Sequence, residues 1–155
     1  MMQTCQNVRF HNLDEVIDDI YVRFLMSLPE VESSKFERLG FHLEQAFWFY
    51  EDFVRTQNDS SLPKYTLKTF AALILARYSK IGINFVNHSI DTLFESFKEY
   101  KSKIPTCGAI IINTDHSKCL LIRVFKGTSW GFPKGKMTKH ESPEDCAIRE
   151  VKILN

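Results

Sequence analysis

Gly135 is followed after five residues by Glu141, and after seven more by Arg149-Glu150-Val151. A glycine-rich turn that opens a helix bearing carboxylates suits chemistry on a dense anion. Hard divalent cations take carboxylate oxygens. They offset the charge of a diphosphate while water attacks it. Lys134 and Lys136 stand on the same loop and could contact phosphates; the plainer reading is solvated surface lysines. The plainer reading of the whole segment is a glycine turn and a helix with ordinary surface charge.

A second constellation lies in the N-terminal half. Counted at about 100° per residue, Trp48 and Asp52 fall nearly opposite the apolar stripe of their helix. Glu44 and Gln45 share that polar side. Trp48 and Asp52 are four residues apart, so their side chains are neighbours on a helix. An indole can stack on a cationic ring, an attraction of about 0.5–2 kcal/mol. A carboxylate beside it can accept hydrogen bonds from the ring's N–H edge. The plainer alternative is that Trp48 packs against another helix or a partner protein.

The elements that would position these residues follow from periodicity. Asn12 caps a helix over Leu13–Leu28, with Val16, Ile17, Ile20, Phe24 and Leu28 on one face and Pro29 ending it. Ser34 and Glu37 predict a capping box for a longer helix to about Gln57. Its stripe is Phe36, Leu39, Leu43, Ala46, Phe47, Tyr50 and Val54. The run QNDSSLPK is a loop, and Thr66 caps a short helix through Ala76. KIGINFVN reads as irregular. Another helix starts near Ser89, carrying Ile90, Leu93, Phe94, Phe97 and Tyr100.

The period then changes from about 3.6 to 2. Gly108–Ile112 and Cys119–Phe125 predict a β-hairpin around the turn NTDHSK. A loop, GTSWGFPKGK, leads to a helix with Ser142 at its N-cap and Pro143 in its first position. The expected division is a helical domain over 10–100, a hinge linker over 101–106 and a second domain over 107–155.

Hydrophobic residues make up 44% and charged residues 25%, which excludes a disordered tail. A net charge of +1 excludes a general polyanion-binding surface, so any nucleic-acid contact must be a local patch. No apolar run suits a signal peptide or a membrane span, and a soluble intracellular protein is expected. Cys5, Cys107, Cys119 and Cys146 show no CxxC spacing, so buried or free thiols are expected rather than disulfides or a zinc site.

Gly135, Glu141, Arg149 and Glu150 match the first two thirds of the Nudix box. With Trp130-Gly-Phe-Pro-Lys-Gly-Lys136, Phe47-Trp48-Phe49-Tyr50-Glu51-Asp52-Phe53, Tyr100–Gly108 and Asp145-Cys146-Ala147, the chain resembles the catalytic subunits of the eukaryotic mRNA-decapping enzyme, a Nudix hydrolase family. The resemblance runs from about residue 10 to Lys152. It implies an α+β protein, with an all-helical domain followed by an incomplete α/β/α Nudix sandwich. It implies metal-dependent release of 7-methyl-GDP from capped mRNA, with manganese or magnesium as cofactor. Glu150 would be catalytic, and Glu150 with a backbone carbonyl near Lys134 or Gly135 would bind metal. Glu141 would organise the loop through Arg149. Trp48 and Asp52 would hold the methylated guanine, and Lys134 and Lys136 the phosphates or RNA.

A small activator subunit would dock on the helical domain, with Phe24, Leu28, Phe41 and Phe49 as candidates. Location would be cytoplasmic, in mRNA-decay granules (P-bodies). The family carries two consecutive glutamates after Lys152, where this chain has Ile153 and Leu154 and then Asn155. The expectation is therefore a truncated Nudix domain with impaired catalysis. The alternatives are a non-catalytic module binding the cap or the activator, or a hydrolase of free nucleotides, which leaves the helical domain unexplained.

Overall fold

The computed structural model describes residues 12–57, 62–123 and 127–153. Cys5, part of the loop after Gln57, Phe125 and Leu154 lie outside them. The chain divides into two compact units, Met1–Lys101 and Ser102–Asn155. The first is helical and the second holds short antiparallel strands and a helix, so the chain is α+β as expected.

Helix α1 spans Leu13–Phe24. The Asn12 side chain accepts from the Glu15 amide at 2.9 Å. Asp14 and Glu15 favour the positive end of the helix and Arg23 its negative end. Val16, Ile17 and Ile20 are buried. The helix stops four residues short of Leu28. The Leu25 and Met26 amides both turn onto the Tyr21 carbonyl, at 2.9 and 2.8 Å, which ends the regular ladder. Leu28, before Pro29, is disfavoured in helical geometry.

A short helix α2, Glu30–Ser33, follows. It corrects the predicted capping box. The Ser34 amide bonds to the Glu30 carbonyl at 2.8 Å, and Ser34 has helical dihedrals (φ −82°, ψ −17°). It therefore terminates α2 and does not cap the next helix. Lys35, in extended geometry and without a side-chain cap, precedes α3, Phe36–Phe49.

Helix α3 is the centre of the helical unit. Phe36, Leu39, Gly40, Leu43 and Ala46 are buried along it. A glycine is needed at position 40, because an added Cβ would meet the Phe97 ring at 2.6–2.8 Å. The helix continues through a π-helical segment, Tyr50–Val54, into α4, Arg55–Gln57. Tyr50 and Val54 are buried, and the Tyr50 hydroxyl donates to the Pro63 carbonyl. Burial pushes the Tyr50 phenol up to about 12.

Helix α5, Leu67–Arg77, opens on a Thr66–Thr69 capping box. The stretch read as irregular is instead ordered, as α6 (Ser79–Gly82) and a 3-10 turn (Ile83–Phe85) that buries Ile81 and Phe85. Helix α7 runs over Ile90–Lys103, with the Ser89 hydroxyl accepting from the Thr92 amide at 3.1 Å. Rings lock these helices together. Phe36 meets Phe85 and Phe94 edge-on at 5.5 and 5.3 Å, and Phe41 meets Phe97 at 5.0 Å. Tyr21 of α1 stacks on Tyr78 at 3.7 Å. The Tyr78 hydroxyl and the Arg77 guanidinium both donate to Asp18, tying α5 to α1.

In the second unit, β1 (Thr106–Gly108) pairs antiparallel with β4 (Lys134–Lys136), and β2 (Ile122–Arg123) with β3 (Trp130–Gly131). The predicted hairpin is present around its turn but shorter than expected. Between its arms the pairing shrinks to one bridge, Ile112 with Cys119, flanked by Leu120 N–H to Ile111 O at 2.8 Å. Ile110, Ile112, Leu120 and Leu121 are all exposed, so this ladder lacks the buried face that stabilises a hairpin. The segment expected to be loop supplies β3 and β4 instead. Helix α8, Pro143–Lys152, opens at Ser142, whose hydroxyl accepts from the Asp145 amide at 3.1 Å. It packs on β1 and β4.

Candidate functional site

The turn between β4 and α8 is organised by one guanidinium. Arg149 donates to both oxygens of Glu141, at 2.7 and 2.9 Å, and to the Lys136 carbonyl at 3.0 Å. It also pairs with Glu150. Glu141 Oε2 accepts the Thr138 amide at 2.9 Å. Arg149 first, and the Thr138 amide second, hold the Glu141 carboxyl down at about 2. His140, just before it, adopts a left-handed φ of 66°. Such geometry is unusual for a residue with a side chain, and the Glu141 contacts on its C-terminal side fix it. A bidentate arginine–carboxylate pair is the geometry suited to this task, because it sets direction as well as distance.

Glu150 lies on the same helix. Its carboxylate sits directly over Gly135, where any Cβ would fall on its oxygens. Close approach, and no special φ, is thus what requires glycine at 135. The Gly135 carbonyl also meets the Cys146 thiol at 3.6 Å. Cys146 is fully buried, and burial pushes its thiol up. Lys134 is exposed, whereas Lys136 is half-buried and its ammonium donates to the Ile104 carbonyl at 3.2 Å.

The second constellation belongs to the helical unit. Trp48 is 54% exposed near the end of α3. Asp52 is exposed as well, within the π-helical segment. Among the described residues of the helical unit, Trp48 is therefore not buried against another helix. Glu44 is drawn into a pair with Lys101, at 2.6 Å, and Gln45 is exposed. Sequence periodicity located this face but not the π turn inside it.

The proposed activator-contact residues are all half-buried. Phe41 is occupied by Phe97 and Tyr100. Phe24 meets Phe49 at 5.4 Å, and Phe49 continues to Phe53 at 5.7 Å, which is 52% exposed. Leu28 borders the core beside them.

Residues 15–100 match the family model of the Dcp2 box A domain, more than half of the chain. The chain belongs to the Dcp2 family. Residues 103–152 of this Dcp2-family chain match the NUDIX domain. It is 44% identical over 144 residues to the mRNA decapping complex subunit 2 of Schizosaccharomyces pombe, covering 88% of this chain and 18% of that one. It is 41% identical over 137 residues to the mRNA-decapping enzyme subunit 2 of Arabidopsis thaliana, covering 88% and 36%. It is 39% identical over 141 residues to the m7GpppN-mRNA hydrolase of Saccharomyces cerevisiae, covering 91% and 14%. The chain thus spans roughly a third or less of the length of these relatives.

Nudix hydrolases as a class depend on divalent metals. The donors present in this Dcp2-family chain do not fit such an ion. Magnesium asks for near-octahedral oxygen coordination, usually with more than one carboxylate or phosphate. Among the described residues of this turn, Glu141 is engaged by Arg149 and Thr138, which leaves the Gly135 carbonyl and the Glu150 carboxylate, itself paired with Arg149. Ile153 stands three residues beyond Glu150 and is exposed. Among the described residues no group of three or more His, Cys, Asp or Glu side chains is placed to hold a metal. No described helix is long and apolar enough to cross a membrane.

Proposed function

We propose that this chain serves mRNA decapping as a cap-recognising module, with Trp48 stacking on the positively charged methylated guanine and Asp52 accepting from its N–H edge. The observation that carries the reading is the exposed indole of Trp48 on a polar helix face, with an exposed carboxylate four residues on. A large aromatic left on such a face needs a partner, and a cationic ring is the ligand an indole prefers. Lys134, on its exposed loop, is the better placed of the two lysines to meet phosphate. Lys136 must first leave the Ile104 carbonyl.

The family reaction is hydrolysis of the cap, as the name of the S. cerevisiae relative states for that protein. In this chain we assign Glu141 and Arg149 to shaping the turn and Glu150 to the reacting side of the helix. Catalysis is weak or absent, because one carboxylate, itself paired with Arg149, is too few for the metal. The partners are capped mRNA and a decapping activator that meets the row of half-buried Phe24 and Phe49 and exposed Phe53. The place of action is the cytoplasm and its mRNA-decay granules.

Fluorescence titration with a cap analogue tests the recognition. Trp48→Ala should weaken binding by roughly 2- to 30-fold, the span of one cation–π contact. Equal affinity in the variant would sink the assignment. Labelled capped RNA with excess chain and manganese tests the chemistry. Little or no 7-methyl-GDP should appear; brisk release would show that the site is more complete than its donors suggest.

A second reading, a decapping hydrolase competent in its own right, draws on the Glu150 carboxylate held over Gly135. The same release assay decides between the two.

A further inference from the structure

Cysteines scattered in the sequence are brought together in the second unit. Strand β1 has Thr106 and Gly108 exposed and Cys107 half-buried between them. Alternate residues of a strand face opposite ways, so Cys107 alone of the three turns inward. Helix α8 packs on β1 and β4, and Cys146 is its fully buried residue. Both cysteines converge on Gly135. Cys107 is its cross-strand partner, and the Cys146 sulfur lies 3.6 Å from its carbonyl. Their common neighbour Gly135 places the inward-turned Cys107 on the side of β1 where α8 presents the Cys146 thiol.

We propose that Cys107 and Cys146 are a redox pair that closes to a disulfide under oxidising conditions, tying β1 to α8 beneath Gly135. The half-buried Cys107 is the sulfur that an external oxidant reaches first. With a small-molecule disulfide such as glutathione disulfide, the Cys107 thiolate attacks one sulfur and expels one thiol, giving a mixed disulfide. The Cys146 thiolate then attacks the Cys107 sulfur and expels the second thiol. Two protein thiols are oxidised and one small disulfide is reduced to two thiols; the two protons given up by the protein thiols end on the two departing thiolates, with no net release. The exposed Cys119 competes less well for Cys146, since it sits on the Ile112 bridge of the hairpin and not under the helix.

The bond matters because of where it falls. Cys146 and Glu150 are four residues apart and share a helix face. Locking Cys146 to the strand fixes the face that carries Glu150 over Gly135. A dithiol of this kind stays reduced where thiol buffers dominate and closes transiently when they are spent.

The whole 155-residue chain, first fully reduced, should be incubated with glutathione disulfide, blocked with a maleimide and digested with trypsin without reductant. Trypsin places Cys107 in peptide 104–118, Cys146 in 140–149 and Cys119 in 119–123. The expected product is 104–118 joined to 140–149, about 2 Da lighter than the two reduced peptides together. Cys107→Ser should abolish it and leave Cys146 as a blockable thiol, whereas Cys119→Ser should leave it intact. The proposal is overturned if both cysteines are recovered separately blocked or glutathionylated. It is equally overturned if Cys107 pairs with Cys119, Cys5 or a second chain.

Discussion

The two units stabilise themselves by different means. In the helical unit a continuous set of side chains from α1, α3, α5 and α7 is removed from water, with rings meeting rings across every helix contact described above. In the second unit, among the described residues, only Pro133 and Cys146 are fully buried. Ile110, Ile112, Leu120, Leu121, Trp130, Phe132, Ile148 and Ile153 are exposed there. Its order rests on short ladders and on the Arg149 latch. A hydrophobic core is cooperative and non-directional. A polar latch holds one turn in one geometry and little beyond it. The first arrangement tolerates surface change; the second concentrates its dependence in one guanidinium and one carboxylate.

The comparison breaks most readily at the core. Leu43→Ala empties a fully buried site in α3 and should cost about 2–5 kcal/mol. Thermal unfolding followed by far-UV circular dichroism should show the main helical transition falling; a change below about 1 kcal/mol would mean that the core is looser than its burial implies. Overfilling is the next test. Gly40→Ala drives a methyl into the Phe97 ring and should cost about 1–3 kcal/mol, read from the same transition.

Acid sharpens the contrast from the other side. Glu141 ordinarily titrates at 4.5 and is held at about 2 in the folded turn. Its stabilisation is complete above pH 4.5 and is lost as the pH falls towards 2. Amide exchange at Thr138 and through α8 should quicken in that window while α3 keeps its protection. In Glu141→Gln the pH dependence between 4.5 and 2 should flatten. Simultaneous loss of both units would contradict the division of labour. The smallest effect belongs to the exposed apolar residues. Ile110, 67% exposed, should tolerate Ile110→Ala within about 0.5 kcal/mol, measured by chemical denaturation.

Much of this was legible in the chain because local rules and tertiary packing agreed. Asn12, Thr66 and Ser142 each cap a helix with the side chain expected from the sequence, and the buried stripe of α3 is the one read from its spacing, with Phe47 only partly covered. The Glu141–Arg149 pair, expected from the resemblance to the Nudix box, is present.

Competition defeated the rest. Ser34 has the chemistry of an N-cap, but the preceding four-residue helix claims its amide first. The β-branched runs around NTDHSK have strand propensity, but most of their described side chains stay exposed, and the longer ladder, β1 with β4, forms where α8 supplies a face. The seat of Glu150 over Gly135 and the meeting of Cys107 with Cys146 depend on the β1–β4 register. A list of residue types does not encode that register.

The π-helical segment at Tyr50–Val54 has a further consequence. Its backbone hydrogen bonds span one more residue than those of the helix on either side. A single residue accommodated in this way rotates everything after it by about 100° relative to an unbroken helix. The segment therefore works as a vernier: it sets the azimuth of Asp52 and Arg55 independently of the stripe that anchors Phe36 to Ala46. An engineer who trimmed one residue to regularise the helix would gain a straighter rod and lose that setting. Transplanting Trp48 and Asp52 onto an ideal scaffold would need the irregularity carried along with the side chains.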